Sequence, residues 1–488
     1  MKTIRILLIG LILFSLNGYG QVTSPDSISQ EDFNRFMQNA NSNFEQFKRQ
    51  INEEFDRFLA ETWTEFECFK GESGFFSTPK PTVLSTKKTH AGTQGGLEGT
   101  PSYEVTVIPA HDDDAGDDVP EGVQGLLSIR FYGKTLRFHL PESLKVKSKS
   151  LREADVAAYY KVMSSRPEVM LLHQELVSSV KRMGLNPWGY YMLLRTLSEK
   201  AFANVNDRVL FCFYMLHHNG FMARVGRGRQ SGQLLLLLAI DNSKEVYSLP
   251  FFRINGVKYY AVYGGNPGED AYSYNEKADD KSLRQVGLNF NQPLHLGACD
   301  RMRKMRLAKA GMDISLPYCT AHLRYYDDMP LTVFPVYAKS GLSPEAQKVI
   351  QSTVADLRSR YNDTQIIDLL LNFVQTSFAY KIDEEQFGHE KYFFPEEVIG
   401  YPYSDCEDRC ALFAWLMRSF LDREVVGVLY NDHLATAVCV DDGTVGEGGS
   451  FRWNGKQYVI CDPTYPNASM GMVMPGYENK KYEIVRIR

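Results

Sequence analysis

The chain has 488 residues, of which 44% are hydrophobic, 12% aromatic and 23% charged, apolar material for roughly two to four domains. That excludes a disordered, collagen-like or small disulfide-scaffold protein. Its 54 basic and 59 acidic residues leave a net charge of -5, so neither nucleic acid nor an anionic membrane is an expected partner.

Residues 1–20 read as a secretory signal. Lys2 and Arg5 precede the apolar stretch Ile6 to Leu16, and Asn17-Gly18-Tyr19-Gly20 supplies a small, polar end, with cleavage expected after Gly20. The apolar stretch is short for a membrane span, and no Cys follows it to carry a lipid. The longest apolar run elsewhere, Leu234 to Ile240, has the length of a buried strand. An exported protein, periplasmic or extracellular and without an integral membrane segment, is expected. That compartment permits disulfides, but eight cysteines in so long a chain are not a framework. Cys299 and Cys319 are a candidate pair, and most of the others read as small buried hydrophobes.

Within residues 21–70, one long amphipathic helix is predicted from Gln30 to about Cys68. Phe33, Met37, Ala40, Phe44, Phe47, Ile51, Phe55, Leu59 and Phe66 recur at helical steps, and Ser29 with Asp32 resembles a helix-start box. Such a helix binds a partner or packs along its own domain, the second being the commoner use. Residues 71–122 read as a loop-rich linker with one strand at Tyr103–Ile108. Its acidic residues Asp112 to Asp114, Asp117 and Asp118 lack calcium-loop spacing and read as solvated. The basic stretch Arg301–Lys309 reads as a solvated face.

An internal repeat organises the rest. Asn206-Asp207-Arg208 lies 201 residues before Glu407-Asp408-Arg409, and Gly226 lies 201 before Gly427. Gln233-Leu234 lies 200 before His433-Leu434, and Asn255-Gly256 lies 199 before Asn454-Gly455. Upstream, Leu193, Leu194, Leu197 and Phe202 match Leu369, Leu370, Phe373 and Phe378 at an offset of 176. The predicted order is helix, helix, strand, hairpin turn, strand, twice over. The change of offset marks about 25 residues gained in the second copy, over Lys381 to Asp405. The division expected is 123–265 for the first copy, 266–340 for a β-rich connector and 341–488 for the second copy.

Chemistry concentrates in the second copy. Cys406 opens the run CEDRCALFAWLMRSFL, a predicted helix with Leu412, Trp415, Leu416 and Phe420 on its apolar face. A thiol at a helix start meets the positive end of the dipole, which favours thiolate. His433 begins a strand, and Asp462 ends another before Pro463, where its carboxylate can orient an imidazole. At the matching positions the first copy carries Val205, Gln233 and Tyr263, which supply no nucleophile, base or carboxylate. Cys410 and Cys461 read as buried and inert. No phosphate-binding Gly loop, HExxH or Gly-x-Ser-x-Gly motif occurs, and adjacent His217 and His218 make a poor metal pair.

SDCEDRCALFAWLMRSFL, NDHLATAVCV and YVICDPTYPNASMGMVMP together resemble the transglutaminase-like core of the papain-like cysteine enzymes. That family carries Cys at a helix start, His on the next strand and Asp on the one after; here the spacings are 27 and 29 residues. The resemblance covers roughly Asp363 to Pro475. It implies an α+β fold, the Cys406-His433-Asp462 triad, no cofactor or metal, and acyl-thioester chemistry on a protein or peptide amide. Hydrolysis is expected over cross-linking. The Cys406 N–H is the first expected oxyanion donor, and Gln386 and Tyr403 are side-chain candidates from the inserted segment. The competing expectation is a non-catalytic envelope binding or scaffold protein on the same fold.

Overall fold

Asn-Gly between two apolar runs is the strongest short-range hairpin signal, because a type I′ turn needs positive φ at both central residues. Both instances make that turn: Asn255 and Gly256 have φ of 50° and 80°, and Asn454 and Gly455 have 50° and 77°. Ile254 then pairs with Val257, and Trp453 with Lys456. The computed structural model describes residues 66–69, 71–73, 104–108, 125–241, 244–274, 283–441 and 448–487. The expected signal segment, most of the predicted N-terminal helix and the acidic run at 112–118 lie outside the described residues.

The architecture is α+β with antiparallel sheets. A seven-stranded sheet runs in the order Phe66–Phe69, Ala271–Tyr274, Ala223–Gly228, Leu234–Ala239, Val257–Gly264, Pro250–Ile254, Gly71–Ser73. A five-stranded sheet runs Glu483–Arg486, Val425–Leu429, Leu434–Val440, Lys456–Cys461, Ser450–Trp453. The five strands of the second sheet repeat the order of the five central strands of the first. In front of each sheet stands a helix pair: Pro187–Ala201 with Val205–His218, and Asp363–Ser377 with Cys406–Phe420. The second helix of each pair packs on the central strand, Leu234–Ala239 or Leu434–Val440. Leu210, Phe211 and Leu216 of one, and Leu412, Phe413 and Leu416 of the other, are buried, each contributing about 2 kcal/mol by the removal of its apolar surface from water.

The helix pairs are braced alike. Phe202 and Phe378 end the first helix of each pair in the same extended conformation, φ −126° and ψ 134° against φ −125° and ψ 136°. Arg208 Nε donates to the Phe202 carbonyl at 2.7 Å, and Arg409 Nη2 donates to the Phe378 carbonyl at 2.7 Å. The Asp-Arg pair shared by the two halves is thus in part a structural brace, satisfying a carbonyl that the helix end leaves open.

Strand registers correct two of the matches. Leu237 pairs with Ala261, and Ala437 with Ile460, consistent with offsets of 200 and 199. Gly226 pairs with Leu235, whereas Gly427 pairs with Thr436. A Cβ on Gly226 meets Leu237 and Ala271, while one on Gly427 meets Leu434, Phe334 and Val485. The two glycines therefore face opposite sides of their sheets, because a one-residue slip reverses every side chain. A bulge between Leu236 and Leu237 puts Gly264, not Tyr263, in the ladder place of Asp462.

Three further expectations change. Phe66–Phe69, read as the end of the long helix, is a strand paired with Ala271–Tyr274. That pairing carries the first sheet beyond residue 265. The 266–340 segment holds strands Arg301–Leu307 and Met312–Tyr318 but also helices Thr320–Asp327 and Phe334–Lys339. Arg301–Leu307 is half of a solvated face: Arg303, Met305 and Leu307 are buried on one side. Arg303 Nη1 donates to the carbonyls of Ile399 and Tyr401 at 3.0 and 2.8 Å. The expected strand near Tyr103–Ile108 is present as Glu104–Val107, and Cys299 is disulfide-bonded to Cys319.

Candidate active site

Cys406 is the first residue of the helix Cys406–Phe420, with Asp405 as its N-cap. The turn is shaped by carboxylates: Asp408 accepts from the Asp405 N–H at 3.1 Å and from the Phe393 N–H at 2.8 Å. At a helix start the Cys406 N–H has no intrahelical carbonyl to bond. The first copy has Val205 in this place, after Asn204. There Asn206 Oδ1 accepts from the Leu234 N–H at 2.8 Å, tying helix start to strand start. Glu407 occupies the corresponding position of the second copy and turns to Cys406 instead: the thiol donates to Glu407 Oε2 at 2.7 Å.

His433 precedes the strand Leu434–Val440 and is buried. Its Nε2–H donates to Asp462 Oδ2 at 2.8 Å. Asp462 follows the strand Lys456–Cys461, is likewise buried, and accepts from the Thr464 N–H through Oδ1 at 2.9 Å. Its backbone carbonyl receives Gln375 Nε2 at 3.0 Å. Asp462 is thus fixed from the strand end and from the Asp363–Ser377 helix, and it selects the tautomer that leaves Nδ1 of His433 as the second functional nitrogen. The Tyr477 ring stands 5.2 Å from the His433 ring.

Cys406 and His433 line one pocket of about 750 Å³. Cys406 is 3% exposed, so reagents reach it through that pocket. The segment Lys381 to Asp405 supplies much of the wall, with Ile382, Asp383, Glu384, Glu390 and Tyr392. Gln386 and Tyr403 do not line it. Gln386 ends the short helix Asp383–Gln386, and Tyr403 lies in a strand beside Ala379–Tyr380, its ring 5.3 Å from Lys381 Nζ. Tyr392 of the inserted segment and Tyr380 just before it add aromatic rings to the pocket.

The electrostatics reverse the expectation for the thiol. Burial first, then the Glu407 and Asp405 carboxylates and the hydrogen bond to Glu407, push the Cys406 thiol well above its ordinary pKa. The helix dipole is outweighed because carboxylates crowd the turn. Burial, with the charge of Glu407 next, likewise drives Asp383 up to about 8, and burial with Glu407 and Asp408 raises Asp405. For His433, burial acts to lower the pKa, but the charge and hydrogen bond of Asp462, with Glu407 and Asp432, hold the imidazole above its ordinary value. The resting arrangement is therefore a neutral thiol hydrogen-bonded to Glu407, in the same pocket as an imidazole primed to carry a proton, rather than a preformed thiolate.

Cys410 is buried one turn along, its thiol donating to the Leu434 carbonyl at 3.3 Å, and Cys461 is buried on its strand. Burial raises both thiols, which suits inert side chains. Gln375, Thr464 and Glu407 have no motif of their own in the sequence; Glu407 was visible as a neighbour of Cys406, and the other two become functional only through the fold. Among the described residues no helix is long and apolar enough to cross a membrane. No protein-family model matches the chain, nor does any curated protein or any solved structure.

Proposed function

We propose that the chain is an exported thiol-dependent enzyme of the transglutaminase-like kind, acting on a peptide or side-chain amide and releasing the acyl group to water. The observation that carries this reading is the buried 2.8 Å hydrogen bond from His433 to Asp462, with His433 facing a pocket that also contains Cys406. An imidazole oriented by a carboxylate, in a pocket shared with a helix-start thiol, supports reading the two as a nucleophile and its base.

Nδ1 of His433 removes the thiol proton as Cys406 leaves its hydrogen bond to Glu407, and Sγ forms a bond to the amide carbon. Negative charge moves to the carbonyl oxygen, where the Cys406 N–H is a donor. The imidazolium, stabilised by Asp462, then protonates the leaving amine as the C–N bond breaks, giving a thioester. Water, deprotonated by His433, attacks that thioester; the C–S bond breaks, the thiol regains its proton and a carboxylic acid leaves. The two helix-and-sheet halves are read as copies of one unit, the first retained for structure alone.

The second reading, a non-catalytic binding protein on the same scaffold, draws on the Glu407 hydrogen bond that keeps the thiol neutral. Incubating the secreted chain with a mixed peptide digest and reading products by mass spectrometry separates the two. Amide cleavage or deamidation that disappears in Cys406→Ala and in His433→Ala is expected. Turnover that survives Cys406→Ala overturns the proposal, and no turnover of any amide favours the binder.

A further inference from the structure

We propose that the pocket selects acyl donors carrying a positive charge, a lysine- or arginine-type side chain, beside the amide that Cys406 attacks; this rests on the thiol chemistry proposed above. The wall is acidic out of proportion to the chain. Asp383, Glu390 and Glu407 each bring a carboxylate oxygen within 4.8 Å of the others, and Asp383, Asp405 and Asp408 do the same. Glu384 and Glu483 add charge at the wall, against a single lining lysine, Lys481. Two largely buried cations interact with these carboxylates through charge but form their side-chain hydrogen bonds elsewhere. Arg409 directs its hydrogen bonds to Phe378, Gln375 and Ser404, and Lys391 Nζ pairs with Glu397 and Asp327.

A second observation points to a ligand. Asp405 lines the pocket, is 6% exposed, and its Oδ1 has no hydrogen-bond partner. A buried polar atom left unpartnered costs about 1–3 kcal/mol, which a ligand group that bonds to it recovers. The aromatic wall fits the same ligand: Tyr380, Tyr392, Tyr430 and Tyr482 line the pocket, and ring faces attract ammonium and guanidinium groups. A cationic side chain here also offsets the carboxylates that hold the Cys406 proton, so the preferred substrate assists in activating its own nucleophile.

The test uses the mature chain and three affinity labels, the chloromethyl ketones of Nα-acetyl-lysine, Nα-acetyl-norleucine and Nα-acetyl-glutamate. Cys406 modification is followed by mass spectrometry. The lysine label is expected to react roughly tenfold faster than its uncharged isostere, with the glutamate label slowest. The preference is expected to shrink in Glu384→Gln/Glu390→Gln and at high salt. Equal, rapid reaction of lysine and norleucine labels leaves the thiol chemistry standing and overturns the charge selection; a lysine preference unchanged in the double variant also overturns it. Labelling of all three no faster than in His433→Ala removes the thiol chemistry. Charge selection is then decided by calorimetry of Nα-acetyl-lysine amide against norleucine amide on Cys406→Ala: a lysine preference supports it and equal binding overturns it. Calcium chloride binding that erases the lysine preference assigns the carboxylates to a metal ion and overturns the proposal.

Discussion

Cys406 gives its thiol hydrogen to Glu407, the next residue along the chain, at 2.7 Å. The proposed nucleophile is thus held by its own neighbour, while the proposed base, His433, is held by Asp462. Glu407→Gln removes the charge that raises the thiol and leaves only a neutral amide oxygen to accept from it. The Cys406 pKa is expected to fall, and iodoacetamide alkylation of Cys406 at neutral pH to accelerate roughly three- to tenfold. Rates measured across pH check this, through an acid shift of the profile.

The His433–Asp462 pair makes stability depend on pH with a definite sign. The imidazole's folded pKa lies above its unfolded value of 6.5, so the pair's contribution is complete below 6.5 and is lost as pH rises through the folded value. Urea unfolding of wild type against Asp462→Asn is expected to show a larger gap at pH 6 than at pH 9.

The acidic turn has the opposite consequence for a carboxyl removed. Asp405 is raised far above 3.8, so the folded state loses stability relative to the unfolded chain as pH rises from 3.8 toward the folded value. Asp405→Asn is expected to stabilise the protein by about 1 kcal/mol near pH 7 and to have little effect below pH 3.8, again by urea unfolding.

The two arginine braces differ in burial, and their variants should differ in cost. Arg409 is buried and holds the Phe378 carbonyl, the Gln375 carbonyl and Ser404 Oγ, whereas Arg208 is half-buried. Arg409→Met is expected to lose about 2–4 kcal/mol and Arg208→Met about 1 kcal/mol. Denaturation midpoints check the order.

What the sequence disclosed was local or periodic. Asn-Gly pairs declared their turns because few residues adopt positive φ, and the spacing of Leu412 and Leu416 declared a helix face. Cys406, His433 and Asp462 were picked out by a family pattern of helix start and two strands; the structure hydrogen-bonds His433 to Asp462 and places Cys406 in the same pocket as His433. Register was not legible: Gly226 and Gly427 match as letters yet face opposite ways, since hydrogen-bond pairing, not identity, sets the phase of a strand. Arg303 was missed although Arg303, Met305 and Leu307 alternate with exposed residues, a period of two that a basic composition concealed. The raised thiol was half legible. Asp405 and Glu407 flank Cys406 in sequence, but the burial that raises it most comes only from the fold.

The most direct test of the central claim, that Cys406 is a nucleophile served by His433 and Asp462, is the order in which the free cysteines react. Among the described residues, Cys212, Cys406, Cys410 and Cys461 are free and buried and Cys439 is free and half-buried. Limiting iodoacetamide at neutral pH, with sites read by mass spectrometry, is expected to modify Cys406 ahead of the more exposed Cys439, and to lose that priority in His433→Ala and in Asp462→Ala. Modification of Cys439 first, with Cys406 indifferent to both substitutions, contradicts the account.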